Sequence, residues 1–554
     1  MCLQLRDFSA VPEETARVAH AAFPKGNPYL TLRDELGVIY EDSTFAPFFG
    51  SPRGRPAESP GCLALVTVLQ FAENLSDRQA ADAVRGRIDW KYLLGLELTD
   101  SGFDYTLLHE FRNRMLENEA EEQLLDTVLE MFRDRKLLKA RGRQRTDSTH
   151  VLAAIRDLNY LELIGETMRQ VLNNLAVMIP NWIREQSPRE WFERYGQPFT
   201  QWQLPKTQSE RKALAEVIGQ DGFHLWQLIE QSTAWTWLRQ VPAVETLRQV
   251  WLQQFYVDDG VVHWRKKENR PPSGSRVASP YDTEARWSKK RSTYWCGYKV
   301  HVTETCEEDR PLLITNVETT PGTTEDFDVT ATIHQHLDER ELLPAEHLLD
   351  SGYINAHILT ESQSEHGVDV VGPVRRDPSW QAKAGEGFAL ACFVIDWEQQ
   401  AATCPRGKTS VVWSPHIDTQ GNDRIAIQFA TSDCRGCPSR SQCVRSQARP
   451  RSIYVRPKEQ HIALQKARQR MTTDEFKESY ATRAGVEGSI SQGARGFGLR
   501  RSRYIGQAKT HLQHILTAAA IDLMRVAAWF EGTPRAQTRH SSFAALATAA
   551  NVGC

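Results

Sequence analysis

Three acidic stretches of this 554-residue chain carry residue types suited to metal or phosphate chemistry. In Arg145-Thr-Asp-Ser-Thr-His-Val151 one acid, Asp147, stands in a short strand-like run between Thr146 and Thr149. In His347-Leu-Leu-Asp-Ser-Gly-Tyr353 an apolar strand ends on Asp350 and passes at once to small residues. Ligands of open α/β sheets collect at the carboxyl ends of strands, so Asp350 is placed to meet a metal. In Tyr480-Ala-Thr-Arg-Ala-Gly-Val-Glu487 spacings of three and four put Tyr480, Arg483 and Glu487 on one face if the segment is helical, although Gly485 and Gly488 weaken that helix. Each acid also has an ordinary reading. Asp147 suits a turn or cap, Asp350 a helix N-cap, and Arg483 with Glu487 a surface ion pair of small worth.

A second group is built from sulfur. Cys404-Pro-Arg-Gly-Lys408 is followed by Cys434, Cys437 and Cys443 in C-x2-C-x5-C spacing. Four thiolates suit a tetrahedral structural zinc, which would hold together a segment with little apolar core of its own. They also suit an iron-sulfur cluster, and free thiols are the third reading. Arg435, Arg440, Arg445, Arg449 and Arg451 around them point to contact with DNA. The remaining cysteines, Cys2, Cys62, Cys296, Cys306, Cys392 and Cys554, are scattered and read as small apolar residues.

The elements that must position these groups are legible in part. Residues 57–116 read as a compact helical unit that opens after the stretch Ser51 to Pro56, with Leu63, Val66, Leu69 and Gln70 at helical spacing. Ser76 with Gln79 three residues on is a capping box that starts a further helix. Arg78, Arg85, Arg87, Lys91, Arg112 and Arg114 are the residues of this unit that would meet phosphates if a helix enters the major groove, against the plain alternative of a packed helical subdomain. Residues 158–255 are all helical in pattern, with Leu161, Ile164, Met168, Val171, Leu172 and Leu175 on one buried face. Their many tryptophans, among them Trp182, Trp191, Trp202, Trp226, Trp235, Trp237 and Trp251, are expected to fill that helical core.

From residue 294 the pattern turns to strands. Tyr294 to Thr303 and Leu312 to Thr319 form a hairpin across the acidic turn at Glu307 to Arg310. A helix follows from about Glu325 towards Arg340, then a strand from Ala345 to Leu349, a helix over 354–366 and a short strand from Val368 to Val371. This alternation around one sheet predicts an α/β domain. The cysteine segment, about 375–450, is less regular and reads as an insertion between two parts of that domain.

Bulk composition narrows the function. Hydrophobic residues make up 40% of the chain, enough for real cores, and the net charge of only −3 excludes a uniformly basic DNA-coating protein. Any nucleic-acid surface must come from local clusters, and two stand out: Arg286, Lys289, Lys290 and Arg291, then Arg495, Arg500, Arg501, Arg503 and Lys509. The first thirty residues lack the apolar run of a signal peptide. The apolar stretch Ile515 to Phe530 is interrupted by Asp522 and Arg525 and falls short of the roughly 20 residues that span a bilayer. An intracellular chain without a membrane segment is the expectation.

Taken together, the motifs resemble a known family. Thr-Asp-Ser-Thr-His at 146–150, Leu-Leu-Asp-Ser-Gly-Tyr at 348–353 and Tyr-x2-Arg-x3-Glu at 480–487 resemble the three acidic motifs of bacterial insertion-sequence DDE transposases. Ser76 to Phe111 resembles the family's N-terminal helical domain, and the stretch 498–504 with the helix after it also matches. The resemblance implies an α/β fold with an RNase-H-like catalytic core, and it implies Asp147, Asp350 and Glu487 as ligands of magnesium or manganese. Arg483 and Tyr480 would hold phosphate oxygens, with Arg495, Arg500, Arg501, Arg503, Lys289, Lys290 and Arg78 as further DNA contacts. One position departs from the family pattern. The Lys or Arg expected after six intervening residues beyond the Glu is replaced by Ala494, with the base at Arg495.

The domain plan that results is a helical N-terminal domain at 1–140, putting terminal-repeat DNA binding there, and a first piece of core at 141–157. A helical insertion follows at 158–270, core again at 271–374, the Cys-rich metal-binding insertion at 375–460, a helical end of the core at 461–532, and a tail at 533–554. The expected partners are double-stranded DNA and a second copy of the chain, in a cytoplasmic, nucleoid-associated setting. A domesticated nuclease and a non-enzymatic DNA-binding regulator are the rival readings.

Overall fold

In the computed structural model, residues 3, 5, 6, 8–49, 57–419 and 421–535 are described. The stretch Ser51 to Pro56, Cys2, Cys554 and the tail from residue 536 onward lie outside them. The chain divides into two compact units, one of residues 1–137, 308–313 and 516–554, the other of residues 138–307 and 314–515.

The first unit is helical. Helix Pro60–Ala72 starts on Ser59, whose hydroxyl accepts from the Cys62 N–H, and carries Pro60 in its first turn. It is buried from Pro60 to Phe71, so it is the central rod of its unit rather than an amphipathic surface helix. The capping box of Ser76 and Gln79 opens helix Asp77–Gly86, and helices Ile88–Leu94 and Thr106–Glu117 complete the bundle read from sequence. Helices Glu13–Ala22 and Pro28–Leu36 precede it.

The second unit is built on a six-stranded sheet. Its first strand, β1, is Arg143–Leu152. A helical insertion follows, with helices Tyr160–Met178, Gln208–Gln231 and Pro242–Gln254 and a hairpin, β2 Phe255–Asp258 and β3 Val261–Trp264, that the sequence pattern did not suggest. Leu161, Ile164, Met168, Val171 and Leu175 are buried there as one face, together with Trp191 and Trp251. Not every tryptophan fills the core: Trp202 is 80% exposed.

The sheet resumes with β4 Arg286–Lys290, β5 Thr293–Thr305, β6 Ile314–Pro321, β7 Glu346–Leu348 and β8 Asp369–Val371. The order is β4-β5-β1-β7-β8, and β5 is long enough to pair with β4 in its first part and with β6 in its second. The pairs of β5 with β1, β4 and β6 are antiparallel, whereas β1, β7 and β8 run parallel. Helices Phe327–Glu339 and Ala356–His366 are the crossovers that parallel strands require. β1 is thus central and buried on both faces, with Thr146, Ser148, Thr149 and Val151 all buried.

The cysteine segment has more structure than its sequence pattern suggests. It folds into a hairpin, β9 Val394–Asp396 with β10 Ala401–Thr403, and a three-stranded antiparallel sheet of β11 Ser410–Ile417, β12 Asp423–Phe429 and β13 Ser452–Val455. Its buried core is small: Phe393, Ala402, Ile427, Phe429, Ile453 and Val455.

Candidate active site

Asp147 lies in the middle of β1, opposite Val302 of β5. On its other side β1 runs parallel to β7 with Arg145 beside Leu348. Continuing that register by two residues sets Asp147 beside Asp350, and the two-residue period puts both side chains on the same face. Asp350 sits just past β7, where its carboxylate accepts from the Gly352 N–H at 2.7 Å. Two acids side by side, Asp147 midway along β1 and Asp350 just past the end of β7, are an arrangement fixed by the sheet.

The third acid arrives on a helix. Glu487 occupies the first turn of helix Gly485–Gly496, Arg483 lies in the 3-10 turn Thr482–Ala484, and Tyr480 lies in the last turn of helix Asp474–Ala481. Two clusters dock these helices on the sheet. Buried Arg145 binds Glu304 of β5 at 2.6 Å and donates to the Thr482 carbonyl, while Ser489 donates to Glu304 from the helix side. Arg143 donates to Ser479 at 2.6 Å and to Glu346 at 3.0 Å. Gly485 acquires a reason here: a Cβ at that position would lie 2.1 Å from Arg145 Nη1, so a side chain there would have to displace the guanidinium from Glu304 and the Thr482 carbonyl. Tyr480 stacks on Phe476 at 5.4 Å between ring centres, and Phe476 belongs to a small core with Leu348 and Val371.

The guanidinium of Arg483 lies among the three acids. Its Nη2 is 2.9 Å from Asp147 Oδ2 and 3.8 Å from Asp350 Oδ2, and its Nη1 is 3.9 Å from Glu487 Oε1. The side chains of Arg483 and Asp147 are 12% and 14% exposed, whereas Glu487 is 70% exposed and marks the open side. Burial raises the pKa of Asp147 above the usual carboxylate range, aided by the negative charge of Asp350. The nearby Arg483 and Lys290 and the Ser148 N–H work against that rise. Burial likewise raises the Tyr480 phenol.

A fourth carboxylate, absent from the sequence reading, borders the site. Asp326 stands at the N-cap of helix Phe327–Glu339, yet its side chain caps nothing there. It pairs instead with Lys299 at 3.0 Å and accepts from Ser148 at 3.4 Å. A Cβ on Gly352 would fall 3.0 Å from Asp350 Oδ1 and 3.2 Å from Asp326 Oδ2, so the two acids face one gap. The acid that follows the Pro321-Gly322 turn was the only signal available for it.

The basic residues expected around the site separate into groups. The segment at 500–502 pairs with the end of β1: the Leu152 N–H donates to the Arg500 carbonyl and the Ser502 N–H to the Leu152 carbonyl, both at 2.9 Å. This brings Arg500, Arg501 and Arg503 to the carboxyl end of the strand that bears Asp147, with Arg500 Nε donating to Thr149. Lys289 and Lys290 lie on β4, Lys289 over the Tyr294 ring at 4.7 Å. Arg495 is exposed in the last turn of the Glu487 helix. In the other unit Arg78 is exposed and packs over the Tyr105 ring at 4.9 Å. Three of its companions are internal ties instead of phosphate contacts. Arg112 is buried on Asp77, Lys91 is buried on the carbonyls of Glu97 and Asp100, and Arg87 pairs with Glu73 and Asp89.

The four cysteines converge. Cys404, Cys434, Cys437 and Cys443 line a single cavity in the cysteine segment. The Lys408 N–H points at Cys404 Sγ at 3.4 Å and the Arg451 N–H at Cys434 Sγ at 3.5 Å. Hard carboxylate oxygens at one site and soft thiols at the other are donor sets of suitable chemistry for magnesium and for zinc. Their arrangement is another matter. Among the described residues no group of three or more His, Cys, Asp or Glu side chains is set to hold a metal ion in this conformation.

Two family models match the chain. The family described as Transposase DDE domain matches residues 403–527, a span that includes Cys404 to Cys443, Arg483 and Glu487, and Transposase domain (DUF772) matches residues 17–114. No curated protein and no solved structure matches. Among the described residues no helix is long and apolar enough to cross a membrane.

Proposed function

We propose, from the premise that the chain belongs with the insertion-sequence DDE transposases, as both family matches support, that it binds the terminal inverted repeats of its element, cuts them and joins the ends to target DNA. The observation that carries this reading is the meeting of three acids, from β1, the turn just past β7 and the helix at 485–496, on one largely enclosed arginine. We read the six-stranded sheet as an RNase-H-like core. In support, an antiparallel group (β4, β6, β5, β1) continues into parallel β7 and β8, with the acids on the two strands at the junction.

Asp147, Asp350 and Glu487 are the residues that would hold divalent ions. Bound there, a pair of ions would activate the attacking hydroxyl and stabilise the departing 3′ oxygen. The chain's own groups supply the rest. Arg500, Arg501, Arg503 and Lys290 carry positive charge to the mouth of the site, where a DNA backbone would run, and arginine pairs with phosphate oxygens bidentately. Tyr480, held flat on Phe476, would border that backbone.

In the same reading the cysteine cavity takes zinc, with an iron-sulfur cluster as the alternative, to tie the turn at 404–408 to the helices at 431–435 and 440–443. The helical N-terminal unit recognises the repeats, and two copies act together, because two ends must be cut in concert. Purified chain with magnesium and a duplex carrying the element's ends is the test: nicks at the repeat boundary support the reading, and binding without any cleavage points to a regulator.

A further inference from the structure

The three acids suit divalent cations chemically, yet a residue of the site stands in the way. Arg483 is 12% exposed and reaches Asp147, Asp350 and Glu487 at 2.9, 3.8 and 3.9 Å. Three carboxylates brought this close repel one another unless a cation lies among them. Its Nε and Nη2 are buried without a well-directed hydrogen-bond acceptor. The guanidinium is therefore held by charge more than by directed hydrogen bonds, and it keeps donors that a phosphate oxygen can take.

We infer that Arg483 is a built-in counter-ion of the DNA-free site, which competes with divalent cations for the acids and moves to a DNA phosphate when those cations enter. The inference rests on the triad reading above. Its consequence is that metal and DNA bind cooperatively. Each removes a cost that the other would meet alone, and the coupling is the same in both directions. It also explains why, among the described residues, no three acids are poised for an ion in this conformation.

The test uses the full chain without DNA and Mn2+ as the probe, with free Mn2+ followed by electron paramagnetic resonance. Arg483→Gln is expected to bind Mn2+ about tenfold more tightly than the unmodified chain. Arg483→Lys, which keeps a positive charge, stays close to it. In thermal melts Mn2+ should raise the Tm of Arg483→Gln by more than that of the unmodified chain, a comparison that holds even if the variant starts less stable. Equal or weaker Mn2+ binding by Arg483→Gln, while Asp147→Asn loses it, overturns the counter-ion role alone. A variant that stays unfolded in saturating Mn2+ makes Arg483 a structural residue and overturns it too. Undiminished Mn2+ binding by both Asp147→Asn and Asp350→Asn overturns the triad reading beneath it.

Discussion

At the scale of single residues, the site turns on Arg483, which reaches Asp147, Asp350 and Glu487 at 2.9, 3.8 and 3.9 Å. Asp147 and Asp350 are brought together by two residues of strand register, which no local pattern reveals because their partners are about two hundred positions apart. Gly485 is the instructive case: from sequence it weakens a helix, and in the fold it admits Arg145. Gly485→Ala should therefore destabilise the protein by about 1–3 kcal/mol, the usual cost of forcing an extra carbon into a packed contact. It should also lower cleavage, since Glu487 rides on the same turn. A melt and a cleavage assay together check this, and an unchanged Tm contradicts the close approach. Asp326 and Arg145 were missed for the same reason, each being ordinary in its local stretch and placed only by long-range pairing with Lys299 and Glu304.

At the scale of elements, periodicity served well where one face is buried and poorly where short strands are mostly exposed. The helical face of Leu161 to Leu175 and the strands β5 to β8 fall close to their expected positions. The sheet β11-β12-β13 was invisible because Val411, Ile417 and Tyr454 face outward, so its strands lack clean alternation. β4 was read only as a run of charge. The six buried residues of the cysteine segment are a small core to hold five strands, so the proposed metal should contribute much of its stability. The chain purified without added metal is expected to carry about one zinc. Removing it with a chelator, or changing Cys437 to Ser, should unfold that segment first, seen as protease cutting between about residues 385 and 450 while the six-stranded sheet stays protected. Iron with visible colour selects the cluster instead, and a metal-free segment that resists protease excludes both.

At the scale of the whole molecule, buried histidines make stability depend on pH. His301 and His334 are pushed down to about 4 by burial and His514 to about 3, so all three are neutral in the folded chain near neutrality. His334 continues into a buried chain through His347 to Thr146, beside Asp147. A histidine unfolded from such a site regains a pKa of about 6.5. Between pH 6.5 and 4 the unfolded chain therefore binds protons that the folded chain does not. The stability these groups contribute is complete above 6.5 and is lost as pH falls through that window. Tm should drop steadily from pH 7 to pH 4, and a flat Tm would place these rings in water. The central claim concerns the triad, and one experiment meets it directly: repeat-end DNA, magnesium and the variants Asp147→Asn, Asp350→Asn and Glu487→Gln, each assayed for binding and for strand cleavage. Loss of cleavage by more than about a hundredfold in all three, with end binding retained, is the predicted result. Normal cleavage by any one of them would remove that residue from the site.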